Sequence, residues 1–478
     1  MNQNNISTAE LFQRVRELLT LPELEPKTRN KMMHDTLILC CHEGVKETKQ
    51  AFGNLFSQVD YLCKAHGIKV ADKIAIQTMR RHSNSQEPLS SEDLKYDARA
   101  LAIFISAVFG VDVPHELNVL IPHTNRPYQK GLEINNRRIR CIVKNWDNDF
   151  IHVDIDQDAD EEEYLVQLKD EENHIDHTYL WDILKEGMQL NLLDCQVKQP
   201  IITPRLIVVE PDYLVDISSI ATCFTAFGHH PLLYLLNQMK PRANTQATLL
   251  GNFAGAALDD IINTNGKYQM NETIKTNFRE KALEFCTCPW FDAKKFYTDA
   301  NQQAFNLQQV VDILFPRTAS QAQMSAFRGE SLYDRKKAIL EPSFVCEALG
   351  IQGRVDLMTT DCKLLVEQKS GRNMNIETHQ VDPGYHSYQL EPHYVQLLLY
   401  YGVLQHNFKL SNDRVNIRLL YSKYRPQDGL MVVAYYQKLF KEAIQYRNQL
   451  VAASFEIAKE GFEHALNEFT PEVLNVAG

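Results

Sequence analysis

The residues with the most chemical content lie in one stretch, Gly353-Arg-Val-Asp356-Leu-Met followed by Lys363-Leu-Leu-Val-Glu367-Gln-Lys369-Ser-Gly371. Side chains alternate between the two faces of a strand, so Glu367 and Lys369 share a face. A neighbouring strand ending at Asp356 adds a second carboxylate. Two carboxylates suit a hard divalent cation such as Mg²⁺ or Mn²⁺, which activates water and offsets charge on a phosphorane. An ammonium beside them orients that water or adds to the stabilisation. This is equipment for phosphodiester hydrolysis. Further on, His393-Tyr-Val-Gln396-Leu-Leu-Leu-Tyr400 puts Gln396 and Tyr400 four residues apart, on one face of an otherwise apolar helix. Upstream, Leu249-Leu-Gly251-Asn-Phe-Ala-Gly255-Ala-Ala-Leu-Asp259-Asp260 brings a further carboxylate. Taken singly, these groups also read as an exposed cross-strand ion pair and a polar cap on a core helix; their order along the chain is what that reading leaves unexplained.

Positioning such groups requires a sheet with helices beside it. Apolar spacing predicts helices over 245–262 and 271–285, strands over 338–347, 353–359 and 363–369, a helix over 393–405 and a strand over 415–421. Before them, short β-rich runs at 137–146, 150–155, 164–168, 188–197 and 205–214 predict a small five-stranded barrel around one helical insert. The first run carries Arg137, Arg138, Arg140 and Lys144, with Tyr128 and Trp146 nearby, a mix of cations and stacking rings that single-strand binders use; an exposed basic strand of a structural barrel reads the same way. Residues up to about 117 read as helical: Ser7-Thr-Ala-Glu10 is a capping-box pattern, and Ser90-Ser-Glu-Asp93 introduces a helix that Gly110 stops.

The ordered set resembles the PD-(D/E)XK nuclease superfamily, specifically its RecB-like branch, with the pattern G-x3-H-x3-E, G-h-D, E-x-K and Q-x3-Y. Asp356 matches the central Asp, Glu367 and Lys369 the E-x-K pair, and Gln396 and Tyr400 the last motif. Gly251 and Asp259 fall on the first motif's Gly and acidic positions, while Gly255 stands where the family has a metal-binding His. The resemblance implies metal ligands Asp259, Asp356, Glu367 and the backbone carbonyl of Gln368, with Asp260 as the fallback for Asp259. It implies that Lys369 positions the attacking water, and that Gln396 and Tyr400 hold the scissile phosphate or steady the lysine. Residues 130 to 450 are also similar to nuclease modules of flap-processing nuclease-helicases of DNA replication and repair, which join a barrel to such a nuclease.

The expected fold class is therefore α+β and multidomain: a helical domain over 1–118, an OB-like barrel with single-strand binding over 119–216, and a PD-(D/E)XK core over 217–478, a mixed sheet flanked by helices. The expected function is Mg²⁺- or Mn²⁺-dependent hydrolysis of DNA, single-stranded or flapped. A helicase motor would lie on a longer form of the protein or a separate chain, because no G-x4-G-K-[ST] loop occurs. Some members of the family this chain resembles place three cysteines of an iron-sulfur cluster after the Gln-x3-Tyr helix; no cysteine follows Cys362 here, so that cluster in its usual form is not expected. Two alternatives stay open: a nucleic-acid-binding module with a degenerate centre, suggested by Gly255, and a helicase-associated scaffold.

Composition bounds the rest. With 44% hydrophobic and 23% charged residues among 478, the chain is globular rather than disordered or fibrous. No apolar run is long enough for a membrane helix and no basic-then-apolar leader opens it, so a cytoplasmic, membrane-free protein is expected. The net charge of -11 speaks against nucleic acid only until it is located. Residues 151–190 hold 13 acidic and 2 basic residues, and the remainder sums to zero. Phosphate binding depends on local field. Asp154-x-Asp156-x-Asp158-x-Asp160 lacks the Gly and Glu of a calcium loop and reads as solvated. The ten cysteines, Cys286-Thr-Cys288 included, show no second pair of zinc ligands and are expected as free thiols.

Overall fold

The computed structural model describes residues 6–21, 25–85, 87–126, 132–155, 163–225, 228–239, 244–264, 267–381, 387–410 and 414–468. The architecture is α+β and multidomain, with mixed sheets and a closed five-stranded barrel. Helices α1 (Thr8–Thr20), α2 (Pro26–Gly44), α3 (Leu55–Ala65), α4 (Val70–Ser83), α5 (Ser91–Phe109) and α6 (His115–Asn118) form a bundle around Leu11, Val15, Leu37, Leu62 and Phe104. The expected capping box is present: Ser7 Oγ accepts from the Glu10 N–H, and Glu10 accepts from the Ser7 N–H. Helix α5 starts on Ser90 and ends on Gly110, whose φ of +64° costs a glycine little. The helical expectation is incomplete in one respect. Ala51–Phe52 form β1, which leaves the bundle and pairs parallel with an edge of the central sheet.

The barrel closes through β2 (Asn136–Trp146), β3 (Phe150–Ile155), β4 (Tyr164–Gln167), β7 (Gln189–Lys198) and β8 (Ile201–Thr203), with β2 bonded to both β3 and β7. A two-residue hairpin, β5 (Lys169–Asp170) and β6 (Ile175–Asp176), follows β4. Four expected strands appear, but the fifth differs: closure runs through β8, while β9 (Leu206–Val209) bonds β7 alone.

Downstream come β10 (Val215–Asp216), α7 (Ile217–Ala221), the hairpin β11 (Phe224–Thr225) and β12 (Gly228–His229), and α8 (Leu232–Met239). Helices α9 (Gln246–Asn263), α10 (Met270–Glu280), α11 (Ala282–Cys286), α12 (Ala293–Leu314) and α13 (Ala319–Phe327) precede the sheet. Its strands are β13 (Ala338–Leu340), β14 (Ser343–Cys346), β15 (Ile351–Arg354), β16 (Leu357–Thr359) and β17 (Leu364–Lys369). After α14 (Met374–Thr378) and α15 (Glu391–Phe408) come β18 (Asn416–Tyr421), α16 (Pro426–Gly429), β19 (Leu430–Val432), α17 (Gln437–Glu460) and α18 (Phe462–Glu468).

The central sheet runs β1-β19-β18-β17-β16-β13, with β17 and β18 parallel and α15 as their crossover. Strand alternation decides which helices cover which face. Leu364 and Val366 pack with Leu249, Phe253 and Leu307 of α9 and α12, whereas Leu365 packs with the apolar residues of α15 and α17.

Two expected strands are each broken by a kink. Residues 338–347 split at Glu341, where φ is +48°, and 353–359 split at Val355 and Asp356. The halves belong to one antiparallel hairpin: β13 and β16 pair in the central sheet, while β14 and β15 pair in a three-stranded sheet with β10. The Glu341 N–H donates to the Asp356 carbonyl at 3.0 Å. A hairpin that changes sheet must turn both strands at the same level, and that level carries two acidic residues.

Helix α17 joins these parts. Arg447, fully buried, donates to the carbonyls of Val209, Glu210, Tyr213 and Gly350, and Asn448 donates to the Ile207 carbonyl at 2.8 Å. Among the described residues no helix is long and apolar enough to cross a membrane.

Candidate active site

Glu367 and Lys369 project from the end of β17 toward α15, on the face that alternation assigns them. Lys369 Nζ donates to Glu367 Oε1 and to Gln396 Oε1, both at 2.8 Å. Helix α15 is buried nearly all round by Val395, Leu397, Leu398, Leu399 and Tyr401, so Gln396 is a polar group placed on an apolar helix to meet the ammonium. Only 3% of the Glu367 side chain is exposed, and its Oε2 has no hydrogen-bond partner. A buried carboxylate oxygen left unpaired costs free energy unless something positive completes it.

Asp356 sits at the kink and accepts the Gln368 N–H at 2.6 Å on Oδ2. The N–H and C=O of a strand residue leave from the same edge, so the Gln368 carbonyl faces the side on which Asp356 lies. The Gln368 side chain turns to the opposite face, donating to Ser422 Oγ at 2.7 Å, which donates to Gln303 Oε1 of α12 at 2.6 Å. Only the backbone of Gln368 is thus available to the site.

A cavity of about 610 Å³ has Asp259, Glu341, Arg354, Asp356, Lys369 and His393 among its lining residues, while Glu367 and Gln396 touch Lys369 from outside that lining. Sequence reasoning missed three of the lining residues, Glu341, Arg354 and His393. Glu341 enters because the bent hairpin sets it against Asp356, with Arg354 Nη1 at 3.1 Å; the signal available was its place one residue before Pro342, at the end of an apolar run. His393 opens the Gln-x3-Tyr helix and shares a hydrogen bond with the Tyr421 hydroxyl. Burial, then the Lys369 ammonium, push its pKa down to about 3, which keeps the ring neutral.

The electrostatics record an excess of negative charge. Burial first, then Asp356, push Glu367 up to about 8. Burial, then Glu341, Asp260 and Asp356, push Asp259 up to about 7. Burial also raises Asp356, against the Gln368 N–H and the Lys369 charge. These oxygens fit a hard cation in type and charge, and the unpaired Glu367 Oε2 is the atom it would satisfy. They are not a finished cage. Among the described residues no three His, Cys, Asp or Glu stand ready to hold an ion. Mg²⁺ keeps several waters and takes one or two carboxylates, so a partial set is compatible with it.

The first-motif helix reaches the cavity through Asp259. Asp260 accepts from Thr273 Oγ1 at 2.5 Å and does not line the cavity. Gly251 lets α9 approach the end of β17: a Cβ there would lie 3.2 Å from Ser370 Oγ. At Gly255 a Cβ would meet nothing within 4 Å, so this position is open space on the cavity wall. Tyr400, expected to hold the phosphate or steady the lysine, reaches Gln396, the lysine's partner. Its hydroxyl donates to the Arg354 carbonyl at 2.6 Å, its ring lies against Gly353, and it does not line the cavity. Burial raises its pKa, so the hydroxyl keeps its proton. Gln396 steadies the lysine; Tyr400 steadies the hairpin.

The basic strand divides. Arg137 and Arg138 are exposed. Arg140 is tied to Asp212 and Gln189, Lys144 pairs with Asp154 at 2.6 Å, and Trp146 packs half-buried on the barrel core. Arg140 and Lys144 thus have acids beside them, brought by a neighbouring strand and the segment after β9, and Lys144 and Asp154 both remain exposed. Tyr128 and the acidic residues Asp156, Asp158 and Asp160 lie outside the described residues. All ten cysteines are free. Neither known protein families nor curated proteins gave a match to this chain.

Proposed function

We propose that this chain is a nuclease of the PD-(D/E)XK type, hydrolysing phosphodiester bonds of DNA with Mg²⁺ or Mn²⁺, and that its cavity over β17 is the active site. The observation that carries this reading is Lys369 held at 2.8 Å by both Glu367 and Gln396, one strand residue beyond a backbone that binds Asp356. Asp356 and Glu367, with Asp259 from α9 and the Gln368 carbonyl, would hold the metal, with Glu341 a further carboxylate beside them. When bound, that ion would lower the pKa of water and offset charge on the phosphoryl oxygens. Lys369, fixed at both sides, would orient the attacking water, and Gln396 keeps the ammonium from collapsing fully onto Glu367. Arg354 would attract the phosphate. His393, neutral, supplies shape and a hydrogen-bonding atom without adding charge.

The barrel, expected to be OB-like and to bind single strands, would then belong to substrate handling in repair or replication, with a helicase motor as partner. A second reading, a binding module with a degenerate centre, draws on the open space at Gly255 and the incomplete ligand set. One assay separates the two. End-labelled single-stranded, duplex and flapped DNA, and single-stranded RNA, are incubated with the protein in Mg²⁺, Mn²⁺ or EDTA beside Asp356→Ala. Cleavage of DNA that disappears in EDTA and in the variant is the expected result. Binding without cleavage in either metal would overturn the nuclease reading in favour of the degenerate one.

A further inference from the structure

Arg137 and Arg138, exposed at the start of β2, line a second cleft of about 690 Å³ together with Arg205, Lys409 and Lys441. Its one carboxylate is Asp194. The five cations come from four places in the fold: the start of β2, the residue before β9, the residue that ends α15 and the first turns of α17. None of the five forms an ion pair among the described residues, although Arg205 donates to the Leu132 carbonyl at 3.3 Å. In a chain of net charge -11 this gathering of unpaired positive charge is costly unless an anion answers it. Burial, then the Arg205 charge, lower the pKa of Lys441, consistent with like charges held together.

The cleft is separate from the active site. From Gln396 to Gln405, which lines the cleft, is nine residues, or about two and a half turns at 3.6 residues per turn, so the two face opposite sides of α15. Five cations against one acid exceed what a single phosphate balances. No residue of the cleft has a buried, unpartnered nitrogen or oxygen, so nothing there waits to read a base edge.

We propose that this cleft binds the phosphodiester backbone of a single nucleic-acid strand without regard to sequence, as a holding site behind the cutting site. Phosphate contacts fix register and orientation and carry no sequence information, which is what a lining of Arg and Lys provides. The choice of a nucleic-acid strand over another chain of phosphates rests on the nuclease reading; the charge excess does not.

The test is fluorescence anisotropy of a labelled mixed-sequence single strand in EDTA, so that cleavage plays no part. Arg137→Gln/Lys409→Gln, both exposed, should weaken binding about tenfold near 0.15 M salt and flatten the slope of log affinity against log salt by about 1.4, about 0.7 for each phosphate no longer neutralised. Lys27→Gln/Lys31→Gln removes the same charge from an exposed face of α2 and should leave binding unchanged. Equal affinity and slope for the cleft variant and the wild type would overturn the proposal. So would displacement of the strand by stoichiometric ATP, which would make the ligand a free triphosphate, or by polyglutamate, which would make it an acidic peptide. Absence of the cleft effect with cleavage intact removes this inference alone; cleft binding in a protein that cuts nothing removes the nuclease reading alone.

Discussion

Two buried ion pairs stand on adjacent strands of one sheet, one on each face, and they differ in their surroundings. Arg418 on β18 meets Glu330 at 2.6 Å, with 1% and 3% of their side chains exposed, and Asn416 Oδ1 takes a further N–H. The phenols of Tyr61 and Tyr333 lie close by. Lys369 on β17 meets Glu367 at 2.8 Å, but there two cations, Lys369 and Arg354, stand among four carboxylates, Glu367, Asp356, Glu341 and Asp259, beside a cavity. The first pair balances its charge and closes a seam. The second carries an excess of negative charge and is open on one side. Burial alone does not mark a site; burial with unbalanced charge does.

That contrast can be broken at either pair. The largest effect is expected from Lys369→Ala, which should lower cleavage about 10³- to 10⁴-fold in a gel assay while DNA affinity changes little. A variant that turns over at the wild-type rate would return Lys369 to the status of a structural cation. Next is Arg418→Met, which strands Glu330 as a buried charge and should cost about 3–5 kcal/mol in urea unfolding; Arg418→Met/Glu330→Leu should recover most of it. If the single variant is as stable as the wild type, the balanced pair is not what holds that seam.

The smallest effect concerns pH. Folding raises Glu367 from 4.5 to about 8 and Asp259 from 3.8 to about 7. Over that window the metal-free native state holds protons the unfolded chain has released, so their contribution to stability is complete below about pH 4 and is lost as pH rises through 7 to 8. Mg²⁺ or Mn²⁺ favours the deprotonated carboxylates. The metal-induced rise in thermal midpoint should therefore be larger above about pH 8 than near pH 6, and it should vanish in Glu367→Gln. A rise independent of pH would mean that the ion is held elsewhere.

What could be read in advance was local. Alternation placed Glu367 and Lys369 on one face, an apolar helix singled out Gln396, and Ser7, Glu10, Ser90 and Gly110 marked helix ends through hydrogen bonds made within a turn. What stayed hidden depends on partners far along the chain. Glu341 joins the site only because a hairpin changes sheet, and no periodicity reports a kink shared by two strands. Strand β1 exists only because β19 offers it an edge. The acids opposite Arg140 and Lys144 come from Asp212 and Asp154, and the Arg354 carbonyl that Tyr400 reaches lies 46 positions upstream.

The Arg447 node bears on how the chain is made. Its guanidinium satisfies the carbonyls of Val209, Glu210 and Tyr213, which lie 238, 237 and 234 positions upstream. At synthesis rates of about 5–20 residues per second, those groups wait on the order of ten to fifty seconds for the residue that completes them. During that interval β9 and the segment after it form a nascent surface with unanswered acceptors, and a chain terminated before α17 would carry a closed barrel whose flanking strand lacks its cover.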